Sequence, residues 1–102
     1  HMVTREIDLI KVVGKDEPVR IYELLGRITD TNAETTQLKN LFHEGLMAYR
    51  EQTWNKAQEN FEQCLHLCPT DAPSKVYLDR ITTFQKTPPQ NNWDGVWQLT
   101  KK

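Results

Sequence analysis

The sequence predicts an α+β fold that is mostly helical: a β-hairpin, an antiparallel helix pair, a third helix acting as a cap, and a short C-terminal extended segment. Two observations lead to this prediction. The first 25 residues hold two runs rich in Ile, Val, Leu and Tyr around a polar turn. Further along, apolar residues recur with the 3.6-residue period of a helix.

The hairpin is predicted from residues 5–13 and 19–25, which flank the turn 14–18. Strict alternation puts apolar side chains on both faces of each strand. One face carries Ile7, Leu9, Val13, Val19, Ile21 and Leu25, and the other carries Ile10, Val12, Tyr22 and Leu24. A hairpin that is apolar on both faces is not stable alone in water, so we expect it to belong to a larger sheet.

Three helices are predicted from their ends and their apolar stripes. Thr31 and Glu34 form a capping box before the first helix, and Thr53 can cap the second. Pro69 is expected to end the second helix, and the third is expected to start at 71–73 and to end at the prolines 88–89. The stripes are Leu38, Leu41, Phe42, Gly45, Leu46 and Tyr49; Trp54, Ala57, Phe61, Cys64, Leu65 and Cys68; and Val76, Tyr77, Ile81 and Phe84.

Charge and composition exclude some classes of partner. The 13 basic and 14 acidic side chains are interspersed and leave a net charge of −1, which does not favour nucleic acid. No apolar run has the length of a membrane span, and two cysteines make no disulfide framework, so we expect a cytoplasmic protein. We interpret His1-Met2 as a remnant of tag removal and the start inside a strand-like run as a cut from a longer chain.

Residues 41–69 resemble one tetratricopeptide repeat, a helix–turn–helix unit. The matching positions are Leu41, Gly45, Tyr49, Trp54, Ala57, Phe61, Cys64 and Pro69. Three residues in this range depart from the family's usual pattern: Leu41 replaces a frequent Trp, Cys64 replaces Ala, and Glu44 stands where Leu is usual. An unrelated antiparallel helix pair remains the alternative.

Residues 5–26 resemble the last two strands of class III adenylate/guanylate cyclase catalytic domains. The motifs are Arg5-Glu6-Ile7-Asp8, Gly14-Lys15-Asp16-Glu17-Pro18 and Tyr22-Glu23-Leu24-Leu25-Gly26. The order of strand, turn, strand and helical repeat is similar to the C-termini of bacterial cyclases of this class. Trp93-Asp94-Gly95-Val96 resembles a terminal segment found in some of them.

This resemblance implies a parent enzyme that makes cyclic AMP or cyclic GMP with Mg²⁺ or Mn²⁺. Its metal-binding and base-selecting residues would lie upstream, so this region itself would hold no catalytic residue, metal or cofactor. Lys15 matches a lysine that contacts the substrate triphosphate in the family, although Val13 replaces a second lysine. A solvated hairpin lysine is the alternative. The implied division is 3–27 for the end of the catalytic domain, 28–87 for the helical module and 88–102 for a tail.

Two other groups of residues are candidate sites. Cys64 and Cys68 lie four residues apart on the core stripe whereas His66 points elsewhere, so these residues and His43 are not expected to converge on zinc, and buried free cysteines are the preferred interpretation. Trp54, Trp93 and Trp97 are interpreted as packing anchors, with a ligand platform as the alternative.

Two functional hypotheses follow. The preferred one is a structural, regulatory or dimerisation role beside the rest of a parent cyclase. That parent enzyme could carry a membrane anchor upstream of this region. The alternative is an adaptor that binds a peptide or partner protein, although one repeat plus a cap is short for such an array. We also expect self-association through the hairpin. In the opposite case the hairpin folds back on the helices, or pairs with residues 97–99, and the chain stays monomeric.

Overall fold

The computed structural model describes residues 2–11, 17–27, 33–90 and 93–98. Its elements are β1 (Met2–Lys11), β2 (Val19–Arg27), α1 (Ala33–Arg50), α2 (Trp54–Leu67), α3 (Ala72–Lys86) and β3 (Trp97–Gln98). A hairpin followed by three helices confirms the predicted α+β, mostly α, fold class. Residues 12–13 of the predicted first strand, residues 14–16 of the predicted turn and Thr31 of the capping box lie outside the described residues.

The strands form one sheet of order β2-β1-β3. β1 and β2 are antiparallel, and Met2, which we had assigned to a tag remnant, lies opposite Arg27. β3 pairs in parallel with the end of β1, where Trp97 lies opposite Ile10. The extended segment predicted near the C-terminus is therefore the third strand of the hairpin's sheet. This is the pairing named above as the alternative to self-association, but it covers only the β1 side and leaves β2 at the other edge of the described sheet.

Two register shifts interrupt the alternation of faces that the sequence predicted. Glu6 lies opposite Tyr22 and Asp8 lies opposite Ile21, so Ile7 has no partner of its own and forms a bulge. A second shift, between Val3 and Thr4, leaves Leu25 of β2 without a partner. Directly opposed residues share a face, so the bulge at Ile7 puts Arg5 and Asp8 on the same face although they are three residues apart.

The helix ends have different chemistry from the predicted caps. α2 begins after Thr53 as predicted, but the Thr53 hydroxyl makes no capping hydrogen bond. α1 ends in a Schellman motif: Gln52 adopts φ 63°, and the amides of Thr53 and Gln52 donate to the carbonyls of Ala48 and Tyr49. Pro73 lies in the first turn of α3, where its missing N–H is harmless.

The core lies among the three helices. Its buried apolar residues are Phe42, Leu46, Ala48, Tyr49, Ala57, Phe61, Cys64, Tyr77 and Ile81. The Phe61 ring stacks on Tyr77 with centroids 5.0 Å apart and meets Phe42 edge-on at 5.2 Å. Gly45 allows this packing, because a Cβ there would lie 3.0 Å from the Phe61 ring. One predicted member is wrong: Val76 is 45% exposed, because the buried face of α3 turns through Ser74, Tyr77, Arg80 and Ile81 instead.

The tryptophans lie in a continuous group of aromatic rings beside this core. Trp54 stacks on Phe84 at 5.2 Å, and Trp93 contacts Tyr49 at 5.2 Å. Trp97 meets Phe84 edge-on at 5.7 Å. All three indoles thus take part in packing, and the last two attach the C-terminal segment to the helices.

Candidate functional site: the hairpin–helix interface

The hairpin meets the helices through ion pairs, and we call this set of contacts the hairpin–helix interface. Its members are Arg5 with Asp71 and Glu23, Asp8 with Arg80 and Tyr77, and Glu6 with Arg50 and Arg20. The three β1 residues belong to the Arg5-Glu6-Ile7-Asp8 motif that carries the resemblance to cyclases. Each of them contacts a helix or the residue that precedes one.

Arg5 is the most buried charge of the interface. Its guanidinium donates two hydrogen bonds to the Asp71 carboxylate, and its Nε donates to Glu23 Oε1 at 2.7 Å. The same group lies 4.6 Å from the centroid of the Phe42 ring. Burial alone would lower the pKa of Arg5, but the bonds to Asp71 and Glu23 outweigh it and raise the pKa.

Asp71 connects this pair to the start of α3. It is the N-cap residue, yet its carboxylate does not bond the helix amides. The carboxylate instead accepts hydrogen bonds from the Arg5 guanidinium and from the Ser74 hydroxyl, whose Oγ lies 2.6 Å from Asp71 Oδ2. The usual capping bond has been exchanged for a contact with a strand residue 66 positions earlier.

Asp8 and Arg80 form a second, bidentate pair. The two guanidinium nitrogens donate to the two carboxylate oxygens at 2.9 and 2.8 Å. The Tyr77 hydroxyl lies 2.8 Å from the Ile7 carbonyl oxygen and 3.0 Å from Asp8 Oδ1, so the bulge residue is also held by α3. Arg80 lies 4.9 Å from the Tyr77 ring centroid and 4.3 Å from that of Trp97, which places it between α3 and β3.

Glu6 reaches the end of α1. Its Oε2 accepts from Arg50 and from Arg20, each at 2.6 Å. Burial alone would raise the pKa of Glu6, but the bonds to the two arginines outweigh it and lower the pKa. Arg50 is in turn covered by Gly95, which adopts φ +83° and whose Cβ, if present, would lie 2.8 Å from Arg50 Cγ.

Gly95 belongs to the Trp93-Asp94-Gly95-Val96 segment, whose other members form a local turn. The Val96 amide donates to Asp94 Oδ1 at 3.1 Å, and the Trp93 indole donates to the Val96 carbonyl at 2.9 Å. A side chain at position 95 would collide with the arginine that holds Glu6. The segment therefore completes the hairpin–helix interface on the side of β3.

The residues proposed for the tetratricopeptide-like unit lie mostly in the core. Gly45, Tyr49, Ala57, Phe61 and Cys64 are buried, Leu41 and Trp54 pack partly against them, and Pro69 is exposed after the end of α2. Whether α1 and α2 form such a repeat stays a prediction. Lys15, the proposed triphosphate contact, lies outside the described residues.

The cysteines are both free thiols. Cys64 is buried, and burial raises the pKa of its thiol to about 11. Cys68 is only half-buried, because α2 ends at Leu67 and Cys68 follows it as the C-cap. In the part of the chain that the structure describes, no three His, Cys, Asp or Glu side chains converge as metal ligands. No helix among the described residues has the length and hydropathy to cross a membrane.

Sequence reasoning missed the interface as a site. The charges of β1 were visible, but their partners Asp71, Arg80 and Arg50 lie 44 to 72 residues away. The available signal was the Arg-Glu-x-Asp pattern itself, since charges placed inside a β-prone run need partners when the strand is covered.

Comparison with known proteins finds a similarity to one region of an adenylate cyclase. It is 29% identical over 88 residues to "Adenylate cyclase, terminal-differentiation specific" of Dictyostelium discoideum. The similarity covers 85% of this chain, and the chain spans about 4% of the length of that protein. The chain is thus similar to a region of an adenylate cyclase. No protein-family model and no solved structure matches it.

The extent of this similarity bears on the hairpin–helix interface. A similarity over 88 residues of a 102-residue chain includes β2 and all three helices wherever it begins. The similar region of that protein therefore matches the sequence of β2 and of the three helices together.

Proposed function

We propose that the chain is a non-catalytic C-terminal region of a class III nucleotidyl cyclase, in which the helices hold the last hairpin of the catalytic domain in place. The observation that carries the proposal is the pairing of Arg5, Glu6 and Asp8 with Asp71, Arg50 and Arg80. These three residues form the cyclase-like motif, and the structure gives each of them a partner at a helix.

The proposed role of the helices is to position the segment between β1 and β2. Lys15, the residue that the cyclase resemblance assigns to the substrate triphosphate, belongs to the turn predicted there. A lysine on a two-stranded hairpin contributes to catalysis only if the strands are held rigidly, since an error of about 1 Å in position can cost about 100-fold in rate. Buried, bidentate ion pairs fix both distance and orientation. The helices would thereby support the hairpin without contributing a catalytic residue.

A charge exchange at Asp8 and Arg80 tests this role in the longer protein that the proposal implies. Asp8→Arg and Arg80→Asp each place like charges together, and the double exchange restores opposite charges. We expect cyclic-nucleotide formation to fall at least about tenfold in each single variant and to recover largely in the double variant. Arg20→Ala, which removes only the more exposed partner of Glu6, is the control and should leave activity within about twofold.

The same variants of the 102-residue chain separate two kinds of failure. If the single exchanges lower its stability but cyclase activity in the longer protein is unchanged, the interface exists and the proposed function is wrong. If neither stability nor activity responds, the interface itself is wrong.

The adaptor hypothesis stays a prediction that no specific contact favours. The described helices are one antiparallel pair and a third helix, whereas repeat arrays with a concave binding surface need about three or more repeats. Four further points depend on the cyclase proposal and remain predictions: a cytoplasmic location, the choice between ATP and GTP, a bacterial origin, and the use of Mg²⁺ or Mn²⁺ by the whole enzyme.

A further inference from the structure

β2 is an edge strand whose outer side no described strand covers. In the order β2-β1-β3, β1 is paired on one side along its length and on the other only at Ile10 and Lys11, whereas β2 pairs only with β1. Tyr22 is 58% and Leu24 is 65% exposed, and both lie on the face opposite to the one that carries Glu23. An edge strand with large apolar side chains readily pairs with another strand.

The regular part of β2 has two charged side chains, Arg20 and Glu23, but lacks the other usual protections of an edge strand. Residues 19–27 contain neither Pro nor Lys, and the bulge at Leu25 disturbs only the end of the strand. Within the described sheet, no strand pairs with the outward N–H and C=O groups of the regular part, Val19–Leu24. Pro18, which precedes the strand, limits pairing on that side because it has no N–H.

Symmetry and charge restrict how two copies of this strand can pair. A two-fold axis through two antiparallel strands is perpendicular to the sheet and keeps each face on its own side. Each residue must therefore lie opposite a residue of its own face, and the pairing is centred on a single residue. A centre at Arg20 would oppose two arginines, and a centre at Glu23 would oppose two glutamates, which disfavours both.

The remaining centres differ in what they place opposite Leu24. A centre at Ile21 leaves Leu24 opposite Pro18, beyond the strand, and a centre at Leu24 runs into the bulge at Leu25. A centre at Tyr22 places Tyr22 opposite itself and Leu24 opposite Arg20, with no like charges opposed. It pairs residues 20–24 with one another, so both exposed apolar side chains, Tyr22 and Leu24, lie within the paired segment.

We propose that the chain forms a two-fold dimer in which β2 pairs antiparallel with β2 of a second copy, centred on Tyr22. The two hairpins then make one continuous sheet, and the Tyr22 rings of the two copies contact each other across the axis. This inference rests on the geometry of β2 and does not depend on the proposed cyclase function.

Cysteine cross-linking tests the register. In a Cys68→Ser background, where the remaining Cys64 is buried, Tyr22→Cys should form a disulfide-linked dimer under mild oxidation. Leu24→Cys alone should not, because its two copies would lie four residues apart. An equal mixture of Arg20→Cys and Leu24→Cys chains should give the mixed dimer. Equal cross-linking of Tyr22→Cys and Leu24→Cys, or none by Tyr22→Cys, would overturn the register.

Association of the unmodified chain tests the surface. Light scattering over a concentration series should show a monomer–dimer equilibrium. Leu24→Lys should weaken it at least about tenfold, whereas Val76→Lys should not change it. Val76 is a matched control because it is an exposed apolar residue on α3 that lies near Trp97 of β3, at the opposite edge of the sheet from β2. A chain that stays monomeric up to about 1 mM, or a dimer that responds equally to both lysines, contradicts the proposal.

Discussion

The buried pair of Arg5 and Asp71 gives the sharpest test of how the hairpin is held. Its side chains are only 3% and 5% exposed, and each depends on the other for most of its polar contacts. Arg5→Met removes the guanidinium and keeps an unbranched apolar stem. The Asp71 carboxylate would then stay buried with the Ser74 hydroxyl as its remaining partner.

The expected cost follows from the asymmetry of buried ion pairs. Breaking such a pair by removing one partner costs about 3–5 kcal/mol, because an uncompensated charge stays behind. Asp71→Asn, which leaves Arg5 buried with only Glu23, should cost a similar amount. In the double variant no buried charge is left unpaired, since Glu23, which also loses Arg5, has a side chain that is 41% exposed. The total should therefore be smaller than the sum of the two single costs by about 1–3 kcal/mol.

Urea unfolding of the four chains measures these free energies, with equal slopes showing that the unfolded states are comparable. Arg20→Ala is the control: its side chain is 50% exposed, and an exposed pair contributes below about 1 kcal/mol. A cost below about 1 kcal/mol for Arg5→Met, or strictly additive single costs, would show that the pair does not hold the hairpin.

Three further outcomes are expected. Phe61→Ala should cost roughly 3–5 kcal/mol in chemical denaturation, because the ring is fully buried against Tyr77, and a loss below about 1 kcal/mol would contradict that packing. Stability should fall as the pH rises from about 9 to 12, because burial raises the pKa of Cys64 to about 11 and of Tyr49 to about 12, and the unfolded chain therefore loses these protons first. Thermal melts across this range measure the decline, which should be smaller in Tyr49→Phe. A melting temperature that does not change with pH would refute the prediction. The chain alone should form no cyclic nucleotide from ATP or GTP with Mg²⁺ or Mn²⁺, and product above a no-protein control would refute its assignment as a non-catalytic region.

The sequence predicted the elements well because their signals are local. The 3.6-residue spacing from Leu38 to Tyr49 and the early Pro73 of α3 each depend on residues within a few positions of one another. Val76 shows the limit of that reasoning. Val76 is apolar like the other residues of the predicted stripe, but the packing of α3 on the rest of the molecule decides which face of the helix is buried.

The interface could not be predicted, because its decisive feature is a bulge. Without the extra residue at Ile7, Arg5 and Asp8 would point to opposite faces, and only one could meet α3. Bulges have no dependable sequence signature when no glycine marks them. The partners were equally hidden, since an aspartate before a helix indicates a cap and not a contact with a distant arginine.

The balanced charges of the chain deserve a different interpretation from the one that their number indicates. Their number alone indicates an ordinary solvated surface, and a nucleic-acid partner is disfavoured only because basic side chains are not in excess. In the structure, Arg5, Asp8 and Arg80 are instead placed where water is largely removed, and each is neutralised across the predicted boundary at residues 27–28. That boundary marks a change of period and not a gap in contacts. Because an unpaired charge on either side would remain buried, the hairpin and the helices are expected to unfold together as one cooperative unit.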